Sequence, residues 1–212
     1  MSEKRIISIT EALKELKLYE SKITKAIDQN TFVGAKKKSA DRVGVVATDR
    51  FCELAKSGYQ SINDLIENRD KIKAAIVQSN AVTTVEINGV EYTVAKAIEF
   101  KNSSILYKKL LLSALKEQYA EAVEIMTREN VRVDRQVDKM LETFVGKDSD
   151  KKINETDMAA ISEPYRAKNE YEIVDPLSIR GEIDRLEAEI DGFEAEVDVK
   201  LSISNSITHI EI

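Results

Sequence analysis

Nine residues occur twice in this chain. Ser79-Asn80-Ala81-Val82-Thr83-Thr84-Val85-Glu86-Ile87 returns as Ser204-Asn205-Ser206-Ile207-Thr208-His209-Ile210-Glu211-Ile212, with five positions identical and two exchanging Val for Ile. In both copies a long run of helical spacing gives way abruptly to period-two alternation, so each marks a helix that turns directly into a strand. Two such corners constrain the fold strongly. Their matched apolar faces are expected to share one small sheet, because stacking them covers apolar surface and leaves fewer edge amides unpaired.

The first copy runs straight into Asn88-Gly89, the dipeptide best suited to a two-residue type I′ turn, where both positions need positive φ. That turn sets Ile87 opposite Val90, Val85 opposite Tyr92 and Thr83 opposite Val94, all on one side, with Thr84, Glu86 and Glu91 on the other. The expectation is a three-stranded antiparallel sheet from residues near 81–87, 90–94 and 206–212, with Val85, Ile87, Tyr92, Ile210 and Ile212 as its core.

The remainder reads as helix. Ser8-Ile9-Thr10-Glu11 is a capping-box pattern, and Ile9, Leu13, Leu16, Ile23 and Ile27 follow it as an apolar stripe over about 8–28. A second helix over about 48–79 carries Phe51, Leu54, Ile62, Leu65, Ile72 and Ile76, with Gly58 as a candidate break. Thr93 caps a third that runs almost unbroken through 93–145. In it Ile98, Ile105, Leu112, Tyr119, Met126, Val133 and Met140 stand at seven-residue intervals, thickened by Leu115, Ala122, Val137 and Phe144. About fifty residues at ~1.5 Å each span on the order of 75 Å, a coiled-coil or long-bundle length. A polar connector at 147–172 includes a short helix around Glu155 to Ile161. Asp175-Pro176 then opens a last helix over 175–203, where Ile179, Ile183, Leu186, Ile190, Phe193 and Val197 form a narrow seam. The fold class expected is therefore mainly α: one elongated antiparallel helical bundle or coiled coil over 1–212, with the small sheet at one place in it.

Composition agrees with long solvated helices. Charged residues make up 33%, aromatics 6%, and there are two prolines, seven glycines and no tryptophan. A net charge of −6 supplies no attraction for nucleic acid or an anionic membrane. No apolar run approaches the ~20 residues of a membrane-spanning helix, and the amphipathic start is unlike a signal peptide, so synthesis as a soluble cytoplasmic protein is expected.

Chemistry is sparse. His209 is the only histidine and Cys52 the only cysteine, so neither a histidine-based metal site nor a Cys–His nucleophile is easily assembled. The carboxylates Asp184, Glu187, Glu189, Asp191, Glu194, Glu196 and Asp198 flank the last helix seam without the glycine-centred loop of a calcium site, and read as a solvated face. Lys36-Lys37-Lys38 reads as a solvated loop, or at most as a hold for an acidic partner. No enzyme activity, cofactor, metal or nucleic-acid partner is expected.

Three stretches together resemble the septicolysin-like proteins of bacteria and phages: Ile9-Thr10-Glu11-Ala12-Leu13; Leu65-Ile66 with Ser79-Asn80, Thr83, Gly89 and Tyr92-Thr93-Val94-Ala95-Lys96-Ala97; and Val174-Asp175 followed by the heptad helix, Asn205 and Thr208. The resemblance covers roughly three-quarters of the chain. It departs in the length of the third helix and in the charged connector after Gly146. The resemblance implies a helical protein of a phage or phage-like setting, and the family name implies a pore-forming alternative.

The function expected is that of a non-enzymatic structural protomer in a homo-oligomer, and the resemblance implies a phage particle or phage-like tail machine with other virion proteins as its setting. The alternative is a membrane-active protein, against which the charges Glu99, Lys101, Lys108 and Lys109 and the shortness of Val82–Ile87 both count. Self-association is placed on the third helix at Leu112, Tyr119, Met126 and Val133, since Leu110, Leu111, Leu112 and Leu115 wrap beyond a single stripe.

Overall fold

A computed structural model describes residues 5–146 and 155–212, and the fold is mainly α. The chain divides into two compact units, one made of the residues up to Ser103 together with Gly192–Ile212, the other of Ser104–Asp191.

The first unit begins with strand β1 (Ile6–Ser8) and helix α1 (Ile9–Gln29). Ser8 is the N-cap, and the capping box forms in full: the Ser8 hydroxyl accepts from the Glu11 amide at 3.2 Å, and the Glu11 carboxylate accepts from the Ser8 amide at 2.9 Å. These bonds satisfy two amides that a helix start otherwise leaves orphaned. They also hold the Glu11 carboxyl below its ordinary value. The buried face of α1 is Ile9, Ala12 and Leu16. Leu13 and Ile27, read from spacing as part of the stripe, are exposed.

The segment between α1 and the next helix contains a minimal ribbon, β2 (Arg42–Val43) against β3 (Val46–Ala47). Helix α2 (Thr48–Val82) then runs through Gly58 without a break. Ile72 and Ile76 of α2 close a core cluster with Ile9, Ala12, Leu16 and Ile210.

At the end of α2 the chain bends as the sequence implies. Strand β4 (Thr84–Ile87) pairs antiparallel with β5 (Val90–Thr93) in the register Val85 opposite Tyr92 and Ile87 opposite Val90. Asn88 and Gly89 have φ of +49° and +71°, the turn geometry expected of Asn-Gly. Helix α3 (Val94–Glu99) follows, capped by the Thr93 hydroxyl.

The three-stranded sheet does not form. Strand β6 (His209–Glu211) pairs with β1, placing Ile7 opposite Ile210 and Ser8 opposite His209. The described residues therefore form three separate two-stranded ribbons. The expected sheet core is divided accordingly. Ile210 is buried with α1 and α2, and Ile212 packs on that cluster. Ile87 and Tyr92 are buried at the other ribbon, with Val85 half-buried. The physical reason is that Ile6-Ile7-Ser8 offers β6 an antiparallel edge that continues directly into the capped start of α1. Three residues are too few to announce a strand by periodicity.

Between α3 and helix α4 (Ile105–Gly146) lies a π-helical turn, Phe100–Ser104. A π turn inserts one residue, shifting the helical phase by roughly 100°. Ile98 is consequently exposed while Ile105, seven residues later, is buried. The seven-residue row does not extend back through the turn. The same turn places Phe100 against Phe193, with ring centroids 4.6 Å apart, and near Tyr92 at 5.8 Å. Tyr92 and Phe193 complete the trio edge to face at 5.7 Å.

The last helix, α6 (Ile179–Ile207), contributes to both units. Its start lies three residues beyond the expected Pro position: Asp175 accepts from the Leu177 amide and, through both oxygens, from the Ile179 amide, with Ser178 at φ +53° between them. Of the seam read from spacing, Ile183, Leu186, Ile190, Phe193 and Val197 are buried, and Ile179 at the helix start is only partly buried. Each large apolar side chain buried there stabilises the fold by about 1.5–3 kcal/mol. Gly192 lets the hairpin approach α6, since a Cβ there would lie 2.4 Å from the Asn88 side chain. The Asn88 amide donates to the Glu196 carboxylate at 2.9 Å.

In the second unit α4 packs with helix α5 (Glu155–Asn169), longer than the short helix read into the connector; residues 147–154 of that connector lie outside the described residues. Arg166 of α5 reaches Asp134 of α4 at 2.6 Å. Beyond α5, the Asn130 side-chain amide bonds both backbone groups of Tyr171, donating to its carbonyl at 3.0 Å and accepting from its N–H at 2.8 Å.

Candidate interaction surface

The reactive side chains stand apart from one another. His209 is exposed, its Nδ1 lying 2.9 Å from the Ile207 carbonyl, and Cys52 is exposed on α2. Among the described residues no group of three or more His, Cys, Asp or Glu side chains is arranged to hold a metal ion. Lys36, Lys37 and Lys38 are exposed, and Lys36 donates to the Ala40 carbonyl at 2.8 Å.

The carboxylates of α6 have local work. In the second unit Glu189 pairs with Lys108 and Glu187 with Lys116; Arg185 bonds Glu182 and lies 3.6 Å from Glu189. In the first unit Asp198 pairs with Lys101. On α4, Glu129 is bonded by Arg132 at 2.8 Å, with Arg128 at 3.3 Å, and its carboxyl is held below the ordinary range chiefly by the Arg132 hydrogen bond. Surface pairs of this kind add little to stability.

The residues expected to carry self-association lie in one row and are covered to different degrees. Leu112, Tyr119 and Met126 are half-buried and Val133 is buried within a single chain, where Val137 is buried one turn further on. Tyr119 is covered by the Arg180 guanidinium, 5.9 Å from its ring centroid. This row is the inward face of α4.

The first two turns of α4 carry its densest outward apolar surface, with Ile125, Val131 and Phe144 exposed singly further along. Leu106, Tyr107, Leu110 and Leu111 are between 51% and 71% exposed. Their spacing forms two adjacent i,i+4 pairs, one continuous patch on the helix. The run Leu110-Leu111-Leu112 holds the signal: three consecutive leucines spread over ~200° of a helix and cannot all face inward. In the first unit α6 shows a narrower strip, Val199, Ile203 and Ile207, also more than half exposed. A shallow depression beside it brings both copies of the repeated segment together, lined by Ser79, Val82 and Thr83 and by Thr208, His209 and Ile210.

No protein-family model, no curated protein and no solved structure matches this chain.

Proposed function

We propose that the protein is a non-enzymatic structural protomer that assembles with copies of itself through the start of α4. The observation that carries this reading is the patch Leu106, Tyr107, Leu110 and Leu111, four large apolar side chains more than half exposed on two helical turns. Contiguous apolar surface of this kind is uncommon on a monomer unless something covers it. The patch replaces Leu112, Tyr119, Met126 and Val133 as the proposed contact, since those four are at least half-covered within one chain. A phage particle or phage-like tail machine, with other virion proteins as neighbours, is the setting that the septicolysin-like resemblance implies.

Size-exclusion chromatography with light scattering at micromolar concentration tests the reading. An assembly that is dissociated by Tyr107→Glu with Leu110→Asp, while the helical circular-dichroism signal is kept, supports it. A clean 23.9 kDa monomer removes it. Dye release from neutral and anionic liposomes, sensitive to the same two substitutions, would instead favour the membrane-active alternative. No helix among the described residues is long and apolar enough to cross a membrane.

A further inference from the structure

The repeated nine residues belong to a longer structural repeat. At the first copy the Thr83 amide donates to the Ser79 carbonyl at 2.9 Å, ending α2; at the second the Thr208 amide donates to the Ser204 carbonyl at the same distance, ending α6. Each corner carbonyl then accepts from the first residue of another helix: Thr83 from the Val94 amide at 2.8 Å, Thr208 from the Ile9 amide at 2.9 Å.

The equivalence continues into helices whose sequences share little. Thr93 caps α3 by accepting from Lys96 and Ser8 caps α1 by accepting from Glu11, both at 3.2 Å. The two caps have φ, ψ of −68°, 150° and −69°, 155°. Val94 and Ala97 are buried as Ile9 and Ala12 are, and Ile98 is outside the core as Leu13 is. Register completes the match. Thr84 opposite Thr93 and Val85 opposite Tyr92 correspond to His209 opposite Ser8 and Ile210 opposite Ile7. Arg5 and Ile212 exchange two backbone hydrogen bonds of 3.0 Å, at the place held by Val90 and Ile87 in the other ribbon.

We infer that the first unit is an internal dimer of two strand–helix–helix–strand halves, Arg5–Ile87 and Val90–Ser103 with Gly192–Ile212. Each half gives one strand to each ribbon: β1 to β6 and β4 to β5. The surface that each half presents therefore fits a second half of the same kind, and Asn88-Gly89 is the bridge that makes the two halves one chain. The first half links its helices through residues 30–47, the second through Ser104–Asp191. In this arrangement the place between Ile212 and Arg5 is the counterpart of the Asn88-Gly89 turn and accepts the same two residues.

The test is a circular permutant that begins at Gly89, ends at Asn88, and joins Ile212 to Arg5 by Asn-Gly in place of residues 1–4. It is expected to keep the helical circular-dichroism signal and to melt within a few degrees of the parent. A Val-Val closure, unsuited to positive φ, is expected to melt several degrees lower. Equal melting of the two closures overturns the equivalence of the ribbons. If the permutant does not fold, a backbone-cyclised chain that keeps the Asn88–Gly89 bond and carries the same closures decides. With Asn-Gly the ring should melt above the linear protein and above the Val-Val ring. A ring that melts no higher than the linear chain overturns the inference.

Discussion

The two ribbons β4–β5 and β1–β6 share a register, a capped helix start and a helix-end hydrogen bond, but are assembled by different means. In β4–β5 the partners are separated by two residues, so Asn88 and Gly89 alone bring them together. In β1–β6 the partners lie at opposite ends of the numbering, with α1, α2 and α6 between them in the chain. Local turn chemistry and long-range packing thus reach the same backbone geometry. The entropy of closing a long loop must be met before the second ribbon gains anything.

That contrast can be broken most severely by removing β6. Ending the chain after Ser204 deletes Ile210 from the α1–α2 cluster and leaves the β1 amides without their partner strand. A loss of several kcal/mol, about 1.5–3 for each buried aliphatic side chain, is expected in chemical denaturation. An unchanged midpoint would show that the second ribbon contributes nothing.

Next in size is a contrast within α4. Val133→Asp puts a charge at a buried position and is expected to cost on the order of 3 kcal/mol or more, with loss of helical signal on mild heating. Leu110→Asp lies on the exposed patch and should leave the melting temperature of the isolated chain nearly unchanged while reducing its mass in light scattering. Similar melting of the two variants would erase the distinction between the inward and outward faces.

Gly89→Val acts on the first ribbon alone. It forces a β-branched residue to φ near +71°, at an expected cost of about 1–2 kcal/mol, measurable as a lowered denaturation midpoint.

The smallest effects compare the caps. Ser8→Ala and Thr93→Ala should each cost about 1 kcal/mol, but only the Ser8 cap should respond to acid. Glu11 has its carboxyl lowered by the Ser8 amide and hydroxyl, so its contribution is present above the ordinary carboxylate value and is lost as pH falls through the lower folded value. Lys96 stands at the corresponding position of the other cap. Melting temperatures from pH 7 to 3 should therefore converge for the parent and Glu11→Gln, and stay parallel for the parent and Thr93→Ala.

Features decided within a few neighbouring residues were determined by the sequence. The Ser8–Glu11 box, the Asn88-Gly89 hairpin and its facing pairs, the Thr93 cap, and the buried seam from Ile183 to Val197 all follow from hydrogen-bonding chemistry or helical period. So does the mainly α class. Tertiary structure decided what those elements meet. It sent β6 to Ile6-Ile7-Ser8, a strand too short to show alternation, and so divided Ile210 and Ile212 from Ile87 and Tyr92. It placed a π turn at Phe100–Ser104, where the Phe100 ring gains Phe193 and Tyr92, and that one inserted residue moved Ile98 out of a row that looks continuous in sequence. It also decided which side of α4 faces inward: the leucines at 110, 111 and 112 are equivalent in composition, and only the packed neighbours distinguish the covered one from the two left outside. Period and turn chemistry are properties of adjacent residues, whereas strand partners, helix phase after an insertion and the direction of burial depend on residues far away in the chain.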